Sequence, residues 1–265
     1  MFPRLVSAEH KSDFARDLLS TDSAELNALL GGGVQRGSSV LVLGPAGTGK
    51  SLLTLTFVKT AVERGEAAAM FIFDEEIGLL IERARGLGID LQAMIDAGRL
   101  LLEPVDAAEL TPGEFTARVR QSVAENGART VVVDSLNGYQ TAMPGEQALV
   151  LHLHELLQFL NRQGVTTFLT VAQHGLVGDM QSPVDITYLA DSVILLRYFE
   201  ALGRVRRAIS VVKKRTGPHE ETIREYVIDA RGITLGEPLV EFQGVLRGVP
   251  AYVGKAAPLL SEGAP

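Results

Sequence analysis

Short runs of β-branched and other apolar residues alternate along this chain with stretches whose apolar positions recur every three or four residues. That alternation is how a doubly wound, mostly parallel sheet reads. Strands are predicted at "SVLVLG" (39–44), "AAAMFIF" (67–73), "RLLLEPV" (99–105), "TVVVD" (130–134) and "VTTFLTV" (165–171). Between them, Leu53, Phe57, Ala61 and Val62 share one helical face, which Gly65 stops. Ile77, Leu80, Ile81 and Ala84 form a second stripe; Phe115, Val119 and Val123 form a third. Leu149, Leu153, Leu156 and Leu160 form a fourth. Before the third, Thr111 is suited to cap, Pro112 to open the first turn and Glu114 to close a capping box.

After residue 171 the style changes. "DSVILLRYFE", "RAISVVKKR" and "TIREYVID" follow one another through turns such as "ALG" and "TGP", with no helical period between them. Antiparallel strands extending the parallel sheet are expected there. The pattern divides the chain into a linker-like segment (1–16), one α/β domain (17–248) and a polar tail (249–265).

Composition narrows the setting. The 46% hydrophobic content of 265 residues supplies a substantial core, and no apolar run reaches the roughly 18 residues of a membrane span. The first residues lack the uninterrupted hydrophobic stretch of a secretion signal, so a cytoplasmic location is expected. There is no cysteine, which excludes disulfides and thiolate metal sites. A net charge of −7 argues against a general nucleic-acid binder, whose affinity rests on neutralising phosphates.

Candidate chemistry centres on "GPAGTGKS" (44–51), which has the glycine, four-residue and Gly-Lys-Ser spacing of a phosphate loop, between a buried strand and an amphipathic helix. Gly44, Gly47 and Gly49 let backbone N–H groups turn inward, and the helix that starts near Lys50 adds its positive end. Lys50 carries a charge for β- and γ-phosphates; Ser51 offers a hydroxyl to magnesium. Asp134, closing a neighbouring buried strand, is placed to hold that metal through water. Asp74, Glu75 and Glu76 stand at the end of the second strand, the edge where such sheets take their ligands. One of them is expected to orient the attacking water, although Asp74 could equally cap the next helix.

From about Leu19 to Gly248 the chain resembles the ATPase domain of the KaiC family, a branch of the RecA-like phosphate-loop ATPases. The resemblance runs through "LLSTDSAELNALLGGGVQRGSSVLVLGPAGTGKS", "FDEE", "GLGIDL" and "VVVDSL". It is most specific in "YLADSVILLRYFEALGRVRRAISVVKKRTGPHEETIREYVI", which is especially similar to the second of KaiC's two ATPase domains. It implies ATP and Mg2+ as ligands, held by Gly44, Pro45, Ala46, Gly47, Thr48, Gly49, Lys50, Ser51 and Leu52. It also implies a homohexameric ring with ATP at each subunit boundary, and signalling proteins as partners. Asp74 and Glu75 match the family's paired catalytic glutamates. Asp74 departs from Glu and is set back by one methylene, so Glu75 is the expected water activator with Asp74 second and Glu76 without a catalytic role. Lys213 and Arg215 match cations that reach toward the γ-phosphate bound by the next subunit, with His219 at a family histidine nearby. The family commonly has Gly where Thr216 follows the arginine. The clock protein phosphorylates itself on a Ser-Thr pair that here reads Thr187-Tyr188, with Ser182 five residues earlier; a hydroxyl is retained at Thr187 and the second site departs.

Two other classes remain open from the residues alone: a DNA-binding recombinase relative and a nucleotide-gated scaffold without turnover. The first would want a basic loop near 172–185, and that stretch has no Lys or Arg. His152 and His154 lie about 200° apart around a helix and are expected to be solvated or partner-facing rather than joint metal ligands. Gln173 and Thr170, at a strand end, are candidates to sense the γ-phosphate.

Overall fold

A computed structural model describes residues 13–73, 75–141, 146–173, 186–247 and 251–254. In chain order its elements begin with β1 (Leu18–Leu19), α1 (Ala24–Leu29), β2 (Val34–Gln35), β3 (Ser39–Gly44), α2 (Lys50–Glu63), β4 (Ala67–Ile72) and α3 (Ile77–Arg85). They continue with α4 (Leu91–Asp96), β5 (Leu100–Pro104), α5 (Pro112–Ala124), β6 (Ala128–Asp134), α6 (Leu136–Thr141), α7 (Glu146–Arg162) and β7 (Thr166–Ala172). The last part is β8 (Ser192–Ala201), β9 (Arg204–Lys214), β10 (Arg224–Asp229), β11 (Gly232–Pro238), β12 (Phe242–Gln243) and β13 (Ala251–Tyr252).

Nine strands form one sheet in the order β11-β10-β9-β8-β3-β7-β6-β4-β5. From β8 to β5 neighbours are parallel; β9, β10 and β11 add antiparallel strands at one side, as their helix-free spacing predicted. The period-two alternation of the strands sorts the core onto two faces. Val40, Val42, Met70 and Phe168 meet Leu53, Phe57 and Ala61 of α2 on one face. Leu41, Phe71, Val131 and Val133 meet Phe115 and Val119 of α5 and Leu153 and Leu160 of α7 on the other. Phe57 stacks on Phe168 with centroids 4.8 Å apart.

The "ALG" turn becomes a two-residue hairpin, Leu202-Gly203, with φ of 54° and 67°. Both values are positive, as right-handed strand twist requires of so short a link.

Some local expectations change. Thr111 caps α5 by accepting from the Glu114 N–H, but the Glu114 carboxylate pairs with Arg118 instead of returning to close a box. His152 is not solvated: its Nε2 lies 2.8 Å from the Thr116 hydroxyl, and Tyr139 packs beside it at 6.0 Å. Burial depresses its pKa, partly opposed by Glu155. Ala251–Tyr252, inside the stretch read as tail, pairs with Phe242–Gln243.

Candidate functional site

The strand-to-helix turn 44–51 is a cradle that admits no side chains at its glycines. Gly47 and Gly49 have φ of 77° and 92°, and a Cβ on Gly49 would lie 2.6 Å from Ile228 Cδ1. A Cβ on Gly44 would meet the Leu196 carbonyl at the same distance. Pro45, Thr48 and Leu52 are buried, whereas Ala46 and Gly47 stand exposed at the crown. Lys50 is 9% exposed and donates from Nζ to the Gly44 and Pro45 carbonyls at 2.9 and 2.8 Å. Burial pushes its pKa down and the nearby Asp134 carboxylate pushes it back up. Ser51 lies in the first turn of α2, where the helix presents N–H groups.

Across the C-terminal edge of the sheet, Asp134 closes β6 and accepts a hydrogen bond at Oδ1 from the fully buried Thr170 hydroxyl of β7. Asn137 grips the end of β7 twice, donating to the Ala172 carbonyl and accepting from its N–H, at 3.0 and 2.7 Å. Thus Thr170, weighed from sequence as a phosphate sensor, is seen holding the carboxylate.

Glu75 follows β4 and forms a two-pronged ion pair with Arg83 of α3, at 2.6 and 2.7 Å. It lines an open cleft of about 790 Å³ with Phe73, Asp106, Glu109 and Arg118. Glu76 caps α3 by accepting from the Gly78 and Leu79 N–H groups, a task that sequence had offered to Asp74. Asp74 lies outside the described residues, as do Ser182 and His174.

Lys213 and Arg215 stand at the opposite edge of the sheet. Lys213 pairs with Val193 at the start of β8, and the Arg215 N–H donates to Asp191, whose own N–H donates to Ser39 at the start of β3. Gly44 is five residue steps further along β3, about 17 Å at 3.3 Å per residue. Lys213 Nζ donates to the Thr187 and Ala190 carbonyls, both at 2.7 Å, and Arg215 donates to the Tyr188 carbonyl at 2.9 Å. Lys214 instead ties the glycine-rich turn after α1, donating to the Leu30, Gly33 and Pro218 carbonyls. His219 adjoins the same turn: a Cβ on Gly31 would lie 3.5 Å from its Cα.

This arrangement can be set beside known proteins. The family model for the ATPase KaiC matches residues 19–240. The chain belongs to the KaiC family. A circadian clock protein KaiC3 of Synechocystis sp. is 30% identical over 254 residues, covering 95% of this chain and 49% of that protein. A circadian clock oscillator protein KaiC of Acaryochloris marina is 29% identical over 238 residues, 89% of this chain and 45% of its own length. One from Thermostichus vulcanus is 28% identical over the same span. The chain therefore covers about half the length of these KaiC relatives. KaiC membership and the nine-stranded, mostly parallel sheet together give it the RecA-like phosphate-loop fold.

Two side chains at this KaiC-type site escaped the sequence reading. Arg83 sits eight residues from Glu75, on the helix that follows it, and the sequence reading assigned it no part. Tyr226, on β10, donates its hydroxyl to the Thr48 carbonyl across 178 residues, a distance no local pattern spans.

Proposed function

We propose that this protein binds ATP with magnesium at the Gly44–Ser51 cradle and hydrolyses it slowly at subunit boundaries of a KaiC-like ring, with six copies as the expected number. The observation that carries the reading is the placement of Lys213 and Arg215 at the sheet edge opposite their own cradle, about 17 Å away along β3. Rigid strands keep them from their own γ-phosphate; a copy stacked edge to edge would receive them.

In this reading the backbone N–H groups of the cradle and Lys50 hold the β- and γ-phosphates. Glu75 takes a proton from water as the water oxygen bonds to the γ-phosphorus, and the bond to the bridging oxygen breaks to release ADP. Lys213 and Arg215 of the adjoining copy meet the charge that develops, a contribution of roughly 10³ to 10⁵ in rate for cations so used. Among the described residues no group of three or more His, Asp or Glu side chains is placed to hold a metal. That suits magnesium held by Ser51, phosphate oxygens and water, with Asp134 one shell out, rather than a closed protein cage. The ion would supply charge neutralisation on the phosphates. His219 and Leu52 complete the expected binding set. Transfer to the Thr187 hydroxyl of a neighbour is a further activity of the same edge, because Lys213 and Arg215 hold the carbonyls of Thr187 and Tyr188 beside them. Signalling proteins reading the ring surface are the expected partners, in the cytoplasm.

Mixing tests the shared site. Lys50→Ala and the double variant Lys213→Ala/Arg215→Ala should each release phosphate at a small fraction of the normal rate. Equimolar mixing should restore part of it, because some boundaries then pair an intact cradle with intact cations. Full activity of the double variant, or no recovery on mixing, would refute the shared site. Turnover of labelled ATP by the unaltered protein but not by Glu75→Gln separates an ATPase from a scaffold. Mass in solution with and without ATP and magnesium reports the ring.

A further inference from the structure

The phosphate cradle rests on the antiparallel strands. Tyr198, Arg207 and Tyr226 are register partners across β8, β9 and β10, so their side chains stand in one row. The Arg207 guanidinium lies 5.7 Å from the Tyr198 ring centre, and the Tyr198 hydroxyl is 2.8 Å from where a Gly47 Cβ would be. Tyr226 is 2% exposed and its hydroxyl donates to the carbonyl of Thr48, a residue with no exposure at all. Burial raises the pKa of that phenol, so it stays a donor at any ordinary pH.

The Thr48 carbonyl and the Gly49 N–H belong to one planar trans peptide and therefore point in opposite directions. Fixing the oxygen toward Tyr226 fixes the N–H on the other side. Without a partner for that oxygen this peptide is easily turned, because Gly49, at φ 92°, has the conformational freedom that only glycine has. We propose that Tyr226 is a positioning residue for phosphate binding: its hydroxyl latches the Thr48–Gly49 peptide so that the Gly49 N–H is presented to the nucleotide's phosphates. The inference rests on the reading of residues 44–51 as a nucleotide cradle. It adds a link between that cradle and the strand next to the one carrying Lys213.

The test is Tyr226→Phe, which keeps the ring in the core and removes only the donor. Calorimetric titration with magnesium-ADP should show at least a fivefold weaker Kd, the equivalent of about 1 kcal/mol for a hydrogen bond lost. Phosphorus NMR of bound ADP should show the β-phosphate resonance displaced more than the α. A purely structural tyrosine would lower the melting temperature of the ligand-free protein and leave Kd within twofold with both resonances in place, and that result would overturn the latch. Absence of ADP binding by the unaltered protein would overturn the cradle and the latch together.

Discussion

If Glu75 activates water, it must first leave Arg83. Replacing Arg83 by Gln removes the two-pronged partner and its charge while leaving a polar side chain on the exposed face of α3. The side chains of the pair are 47% and 24% exposed, so water screens them, and despite contacts of 2.6 and 2.7 Å the pair is worth at most about 1 kcal/mol. A carboxylate released from a hold of that size gains up to about fivefold in turnover, since 1.4 kcal/mol is a factor of ten. The same change lowers the melting temperature by at most about 4 °C for a domain this large. The assay is steady-state phosphate release by both proteins at low and moderate salt, with Glu75→Gln as the inactive reference. Arg83→Gln should be faster at low salt, and the ratio of the two rates should approach one as added ions screen the pair. A slower variant, or equal rates at low salt, would show that Arg83 does not restrain the carboxylate.

Thr170→Val keeps the shape of a fully buried side chain and deprives Asp134 of its donor. It should cost about 1.5 to 3 kcal/mol in a denaturant titration and raise several-fold the magnesium concentration needed for half-maximal turnover; an unchanged magnesium requirement would separate Thr170 from the metal. His152 has a folded pKa depressed from 6.5 by burial. Below that value the unfolded chain binds a proton that the folded one resists, so stability should fall as pH drops from 7 toward 5. His152→Gln should flatten that fall in melting temperature, and an equal slope in the variant would place the acid sensitivity elsewhere.

Sequence carried the architecture well where hydrophobic period and length agree. Val131–Val133 or Leu41–Leu43 can hardly be anything but buried strands, and Leu53, Phe57 and Ala61 pack as their spacing implies. Short elements were not legible: α4 and α6 have six residues each, too few to display a period, and β11 contains two glycines and a proline. At the candidate site, the strand-to-helix turn at 44–51 was readable because its glycines and lysine are neighbours in sequence. The fork between Arg83 and Glu75, the Thr170 bond to Asp134 and the Tyr226 bond to Thr48 were not, because each joins separate elements and is set by tertiary packing alone. Glu76, given no catalytic role on resemblance, serves α3 as its N-cap, where a carboxylate meets the positive end of the helix.

Placing the cradle at one end of the sheet and the two late cations at the other gives each copy a polarity, like a bar magnet with unlike poles. Two copies related by a two-fold axis could complete both sites only if one face of each carried both poles, since such an axis sets cradle against cations in both directions at once. In the proposed ring, by contrast, heterologous, head-to-tail contacts would serve every copy, and such contacts either close on themselves or run on as a filament. The angle between successive copies, rather than any one residue, then decides whether the assembly ends.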